Sequence, residues 1–235
     1  MDFDALLELL KSRRSIRRFK SDPVPDDYVD KIIEAARWAP SGFNLQPWEF
    51  VVVRDSKLKE SIAQFCRAGM ENVFKMEAAR EAWQGPPKPP PHVGPGMAGG
   101  DWSTAPVFIL LFGDKRTNVG LPMYRRYDPM ATQEAFMGGL ASAFLYMHLA
   151  AASLGLSSQW VSGVTSPFAH CMVKNLLHIP EPMEVYDMMA LGYGAATPPP
   201  RLVREKDQMV HYDVAQNYRS DEEVKEFIKK IRGGG

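Results

Sequence analysis

Apolar residues recur along this chain at two different intervals, and each change of interval marks an element. Phe3, Leu6, Leu7, Leu9 and Leu10 share one side of a helix, which predicts an amphipathic helix over residues 2–13. SDPVPDDYVDKIIEAARWA (21–39) predicts a second, with acids in its first turn and Val29, Ile32, Ile33 and Ala36 on one face. WEFVVV (48–53) reads as a buried strand. Residues 56–83 return to helical spacing, with Gly69 as a point of interruption, and PVFILLFGD (106–114) is a second buried strand. Residues 131–156 are apolar almost all round, so they predict a helix covered on most faces. SSQWVSG (157–163) is a short strand, SPFAHCMVKNLL (166–177) a helix with Pro167 in its first turn, and VYDMMALGYG (185–194) a further strand. An extended tail (195–207) and a solvated helix (220–231) complete the pattern.

Helices outnumber strands, and long helical segments separate the strands. The expectation is an α+β fold with one small sheet packed among helices. It is read as one domain over 1–235, with a Pro/Gly-rich loop or lid at 85–105 and an extended tail and helix at 195–235. The 131–156 helix is too apolar for the surface of a monomer. Either a second subunit or a fully enclosing core covers it.

Composition narrows the setting. With 45% hydrophobic residues in 235, the chain has enough apolar matter for a substantial core. Formal net charge is zero, so nothing global points to nucleic acid or to an acidic membrane surface. No run reaches the roughly 18 consecutive apolar residues of a membrane span. Acids stand in MDFDALLELL where a signal peptide carries a basic region. Cys66 and Cys171 form neither a CxxC pair nor a metal spacing. A soluble, reducing, cytoplasmic protein is expected, without metal, nucleic-acid or membrane partners.

Familiar catalytic motifs are few. GPGMAG (94–99) fits G-x-G-x-x-G in letters, but a proline run precedes it and a strand follows, the reverse of a dinucleotide loop. A lid or surface loop suits it better. There is no P-loop, and WVSGV lacks the first glycine of a nucleophile elbow. His92, His148, His170, His178 and His211 are scattered without ligand spacing, and no carboxylate pair stands out as acid and base. The densest charge lies in SRRSIRRFK, where Arg13, Arg14, Arg17, Arg18 and Lys20 flank Ser15 and Ile16. A solvated helix end, a nucleic-acid patch and a phosphate clamp of guanidinium forks and a hydroxyl all suit that composition.

About 25 residues later comes APSGFNLQPW, and the pairing changes the weighting. RRSIRRF, AARWAPSGFNLQPWEFVVV, LAAASLGLSSQWVSG, LGYGAATPPPRLVRE and VHYD, in that order, resemble the FMN-dependent nitroreductase superfamily over nearly the whole chain. The resemblance implies a nitroreductase-like fold: an intertwined homodimer with a small, mixed, mainly antiparallel sheet and FMN at the subunit interface. Arg13, Ser15 and Arg17 would form the phosphate end, with Arg14 contributing and Arg18 only a surface charge. A basic residue from the tail would join them, Arg201 matching best and Arg204 second. Pro40, Ser41, Gly42 and Asn44 of one subunit would lie against the isoalloxazine or ribityl chain held by the other. Gly42 suits close backbone approach, and Asn44 both donates and accepts. Trp160, Val161, Ser162 and Gly163 would run past the reactive edge, with the Ser162 and Gly163 backbone near N5 and O4. Many family members carry an acid before that glycine, where this chain has Ser162. The polar residue that some supply from the long helix is replaced by MGGLA.

The function so implied is hydride transfer from NADH or NADPH, through FMN, to a nitroaromatic, quinone or related conjugated small-molecule acceptor in a ping-pong cycle. No side-chain acid–base pair is needed for that chemistry. Trp160, Phe43 and residues 84–100 are candidates for the acceptor pocket. Three alternatives belong to the same resemblance. Reductive dehalogenation of the iodotyrosine type uses a lid Glu, Tyr and Lys, and here Phe74 stands where a Tyr would be wanted. Oxygen-dependent fragmentation of FMN toward the cobalamin lower ligand fits SGFNLQPW in a general way. A flavin-binding module without turnover is the third.

Overall fold

The computed structural model describes residues 2–79, 101–198, 201–216 and 218–231. Helix α1 (Phe3–Ser12) starts where the Asp2 carboxylate accepts the Ala5 N–H at 2.8 Å. Helix α2 (Asp26–Arg37) begins later than the pattern suggested, because Pro23 and Pro25 hold the chain extended up to it. Strand β1 (Trp48–Val53) follows, then α3 (Ser56–Ala78). Gly69 does not interrupt α3. A Cβ there would fall 2.3 Å from Ser166 Oγ, so the glycine lets α3 close onto the helix beginning at Pro167. Strand β2 (Val107–Asp114) is followed by a short helix, α4 (Met123–Arg126), that the periodicity did not predict. Helix α5 (Pro129–Ser153) starts two residues early, because Asp128 caps it by accepting from Met130 and Ala131. Its far end stops at Gly155, whose φ of 73° turns the chain while the Leu156 N–H reaches back to the Ala151 carbonyl. Strand β3 (Ser157–Val161), α6 (Pro167–Leu176), β4 (Met183–Gly192) and α7 (Asp221–Ile231) complete the elements.

The sheet order is β1-β2-β4-β3, and every strand pairing is antiparallel. Two isolated bridges stitch the arginine-rich segment onto the sheet, Ser15 beside Ser158 in parallel and Phe19 opposite Gly194 antiparallel. The small sheet among helices is the one the resemblance implied, but its strand pairings are antiparallel throughout rather than mixed. Alternation then sorts the core. Ile109, Leu111, Met189 and Leu191 pack with α2 and α5, while Phe108, Leu110, Phe112, Met188 and Ala190 pack with α3 and α6. The β2–β4 register skips at Tyr186, since Leu111 faces Asp187 and Phe112 faces Val185. Such a bulge re-aims the side chains beside it.

Among the described residues, α5 is the one helix long and apolar enough to cross a membrane. Its Phe136, Leu140, Ala143, Phe144, Met147 and Ala151 are instead buried in the core. Met130, Met137, Leu145 and Tyr146 of the same helix are exposed in the single chain, as are Met123, Tyr124 and Tyr127 of and beside α4. The expected loop or lid lies outside the described residues as far as residue 100, as does the side chain of Phe74.

Candidate functional site

Two groups of the sequence-predicted residues come to opposite ends of α5. At its C-terminal end, a cavity of about 320 Å³ is lined by Arg13, Arg14, Ser158 and Thr197, with Ala152 and Gly155 as its floor. The arginines reach it because α1 stops at Ser12 and the following segment lies along β3, the Ile16 N–H donating to the Ser158 carbonyl at 3.1 Å. Arg13 is half-buried. Burial, then the neighbouring Arg201, then Arg14 all press its pKa down. Burial alone does the same to Arg17. Three guanidinium groups therefore share one corner, a donor set that suits a multiply charged anion. Arg204 is differently employed: it donates to the Gln208 carbonyl and shapes the tail. Of the two tail arginines, Arg201 is the one beside Arg13.

At the N-terminal end of α5 sits the turn from Pro40 to Asn44. A Cβ on Gly42 would meet the Ala135 Cβ at 3.2 Å, and one on Gly139 would meet the Ser41 Cβ at 3.0 Å, so this turn rests directly on the helix. Its backbone is strained, with Phe43 and Asn44 at φ 54° and Gln46 at φ 46°. Phe43 and Gln46 each cost on the order of 1 kcal/mol or more there, Asn44 less because Asn tolerates this region, and such costs cluster at ligand sites. The Ser41 hydroxyl accepts the Gln46 N–H at 3.0 Å, and the Gln46 amide donates to Asn44 Oδ1 at 3.1 Å. Ser41 thus builds the loop, and Asn44 keeps its amide N–H groups to offer outward. Phe43 stands half exposed.

The third group follows β3. Val161 turns its side chain into the core, so only its backbone can meet a ligand. Ser162 is exposed, and Gly163 lies against Cys66, where a Cβ would stand 3.3 Å from the cysteine Cβ. Burial pushes that thiol up to about 12, so it is an inert filler.

Beneath this segment runs a buried polar array that no sequence spacing announced. His148 of α5 bonds through Nδ1 to Ser158 Oγ at 2.7 Å and stacks on Trp160, with ring centroids 5.5 Å apart and planes 8° from parallel. Phe144 meets Trp160 edge-on at 4.5 Å. The indole N–H donates to Asp187 Oδ2 at 2.6 Å. Burial, with the Arg13 charge, lowers the His148 pKa to about 3, so the ring is neutral. Burial raises Asp187 to about 6, against the pull of hydrogen bonds from Trp160 and Ser162. His148 Nε2 and Asp187 Oδ1 are both buried without a partner among the described residues.

The sequence model of the nitroreductase family matches residues 10–193, which takes in Arg13 to Arg17, the strained turn and the β3 segment but not Arg201. The chain belongs to the nitroreductase family. Against individual proteins it is 51% identical over 70 residues to a Thermus thermophilus NADH dehydrogenase, covering 29% of this chain and 34% of that one. This nitroreductase-family chain spans about a third of the length of the curated relatives that head its matches. Among solved structures it resembles an FMN-dependent nitroreductase from Clostridium difficile R20291, with a TM-score of 0.62 and 24% identity over 89% of this chain and 99% of that one. It also resembles an iodotyrosine deiodinase bound to FMN and 3-iodo-L-tyrosine, with a TM-score of 0.64 and 25% identity over 89% and 100% of the two chains.

Proposed function

We propose that this protein is an FMN-dependent oxidoreductase that moves a hydride from NADH or NADPH to a nitroaromatic, quinone or similar conjugated acceptor, working as a homodimer. The observation that carries the reading is the arginine corner. Arg13, Arg14 and Arg201 crowd one another beside a cavity edged with hydroxyls, and an anion with several oxygens would relieve that repulsion. A phosphate monoester fits the donor set.

When bound, FMN supplies the two-electron chemistry. Arg13, Ser15, Arg17 and Arg201 hold its phosphate, with Arg14 beside them, and Arg204 keeps the tail in place. The Ser162 and Gly163 backbone N–H groups lie at the reactive edge, where a fixed donor stabilises developing negative charge. Pro40, Ser41, Gly42 and Asn44 meet the ring from the second subunit. Trp160 and Phe43 wall the acceptor space, because aromatic faces suit flat conjugated molecules. Donor and acceptor use that space in turn.

The purified protein should be yellow, and heat should release FMN rather than FAD. NADH or NADPH should bleach it anaerobically, and a quinone should restore the colour with parallel-line kinetics. The deiodinase likeness supports a second reading: a protein that dithionite bleaches but neither nicotinamide does, and that releases iodide from 3-iodo-L-tyrosine, belongs there.

A further inference from the structure

Asp187 is the most expensive side chain in the array, and nothing in the proposed cycle uses it. It lies one residue past the bulge at Tyr186, and strand alternation from Met189, which pairs with Trp160, puts it on the Trp160 side of the sheet. It is only 8% exposed, and one carboxylate oxygen is buried without a partner among the described residues. If its task were only to satisfy an indole N–H, a neutral carbonyl would serve without the cost of burying charge. Trp160, which donates to it, and Ser162, which also lowers its pKa, bracket the segment that runs toward the proposed cofactor edge. The other side of the Trp160 ring is held by His148 and Phe144, while 37% of the residue remains exposed.

We infer that the Asp187 carboxylate is a positioning residue of the acceptor site, fixing the Trp160 indole so that the wall of the pocket is set before the acceptor arrives. The inference rests on the reading of residues 160–163 given under Proposed function. Preorganised walls matter because a misplacement of about 1 Å at a reacting centre can cost on the order of 100-fold in rate. The ionised form does the holding, since a charged acceptor makes the stronger hydrogen bond. The groups that bear on its charge come from several elements. Trp160 donates from β3, and Ser162 in the turn after it also pulls the carboxyl pKa down. His148 of α5 lies behind Trp160, is neutral, and itself feels Arg13. Tyr186, its neighbour on β4, has its own pKa raised by burial and by Asp187. Asp187 therefore loses its charge as pH falls through about 6.

The test uses the FMN-loaded protein with Asp187→Asn and Asp187→Ala. The asparagine keeps an acceptor for Trp160 at the same size but cannot ionise, so it guards against loss of folding. FMN affinity should stay within about twofold of the parent, since the arginine corner is untouched. The parent's KM for a quinone should rise roughly tenfold as pH falls from 7.5 to 5, with kcat changing less. In Asp187→Asn, KM should be flat with pH and close to the parent's acid-side value. Trp160 emission, isolated by difference against Trp160→Phe, should titrate in the parent without cofactor and not in Asp187→Asn. A parent KM that is flat across that range, or an Asp187→Asn profile that superimposes on the parent's, overturns the inference while leaving the oxidoreductase reading intact. A parent that takes up no FMN overturns that reading, and this assignment with it.

Discussion

His148 allows the buried array to be tested without any cofactor chemistry. Unfolded, its imidazole has the ordinary pKa of 6.5; folded, burial holds it at about 3. Between those values the unfolded chain binds the extra proton. The stability gained by keeping the ring neutral is therefore complete above pH 6.5 and is lost as pH falls toward 3. From pH 7 to pH 5 the loss is about 2 kcal/mol, and it barely changes if the folded pKa lies a unit higher. Asp187 acts in the opposite sense. Its folded pKa is raised from 3.8 to about 6, so the folded state holds the proton over that interval and stability falls as pH rises through it. The parent's pH profile alone thus mixes two slopes of opposite sign. The comparison that separates them is His148→Leu, which keeps an apolar side chain in the core and removes one titration. It also strands the Ser158 hydroxyl, at about 1–3 kcal/mol, but that cost is the same at both pH values. Urea unfolding at fixed protein concentration gives the numbers. The parent should lose about 2 kcal/mol more than His148→Leu between pH 7 and pH 5. Equal pH dependence of the two proteins would refute the buried, neutral histidine.

Replacing Arg13 by Ala removes one charge-assisted bond of about 1.5–3 kcal/mol, so FMN affinity measured by fluorescence should fall one to two decades; Arg204→Ala should cost far less. Phe43→Gly relieves a left-handed backbone and should leave urea stability equal or up by about 1 kcal/mol, while acceptor KM worsens; a marked loss of stability would show that Phe43 is a packing residue instead. Sedimentation should find a dimer at micromolar concentration, and a flavin-loaded monomer would remove the shared site. Trimming residues 84–100 should change acceptor preference with FMN still bound.

The elements were legible where periodicity is strong, and their boundaries slipped where local chemistry intervened. Pro23 and Pro25 delayed α2, and Asp128 with Pro129 advanced α5. The arginine cluster and the 40–47 turn were visible because each is contiguous in sequence. The array beneath β3 was not, because its members meet only through the fold. His148 and Ser158 stand ten residues apart on different elements, and Trp160 and Asp187 stand 27 apart. A lone histidine without ligand spacing carries no signal of that kind. The available hint was polarity in the wrong place: one histidine inside an otherwise apolar helix, and one aspartate inside the run VYDMMALG. The run of left-handed residues at 43, 44 and 46 was equally hidden, since a non-glycine residue gives no notice of positive φ.

The separation of the two ends of α5 is what favours the proposed homodimer. The turn rests at Ala135 and Gly139, and the arginine corner opens beside Ala152 and Gly155. At 1.5 Å per residue, Ala135 and Ala152 stand roughly 25 Å apart along the helix axis. One flavin mononucleotide does not bridge that gap with its phosphate at one end and its ring under the strained turn at the other. Between the two ends, α5 leaves Met137, Leu145 and Tyr146 partly exposed, and Met123, Tyr124 and Tyr127 are exposed on and beside α4. In the proposed homodimer, a second copy laid against α5 in the opposite sense would cover these residues and bring each strained turn toward the other chain's arginine corner. Covering those apolar residues and completing the proposed site would then be one event. On that arrangement the strain at Phe43 and Asn44 is borne by each subunit for the other's cofactor.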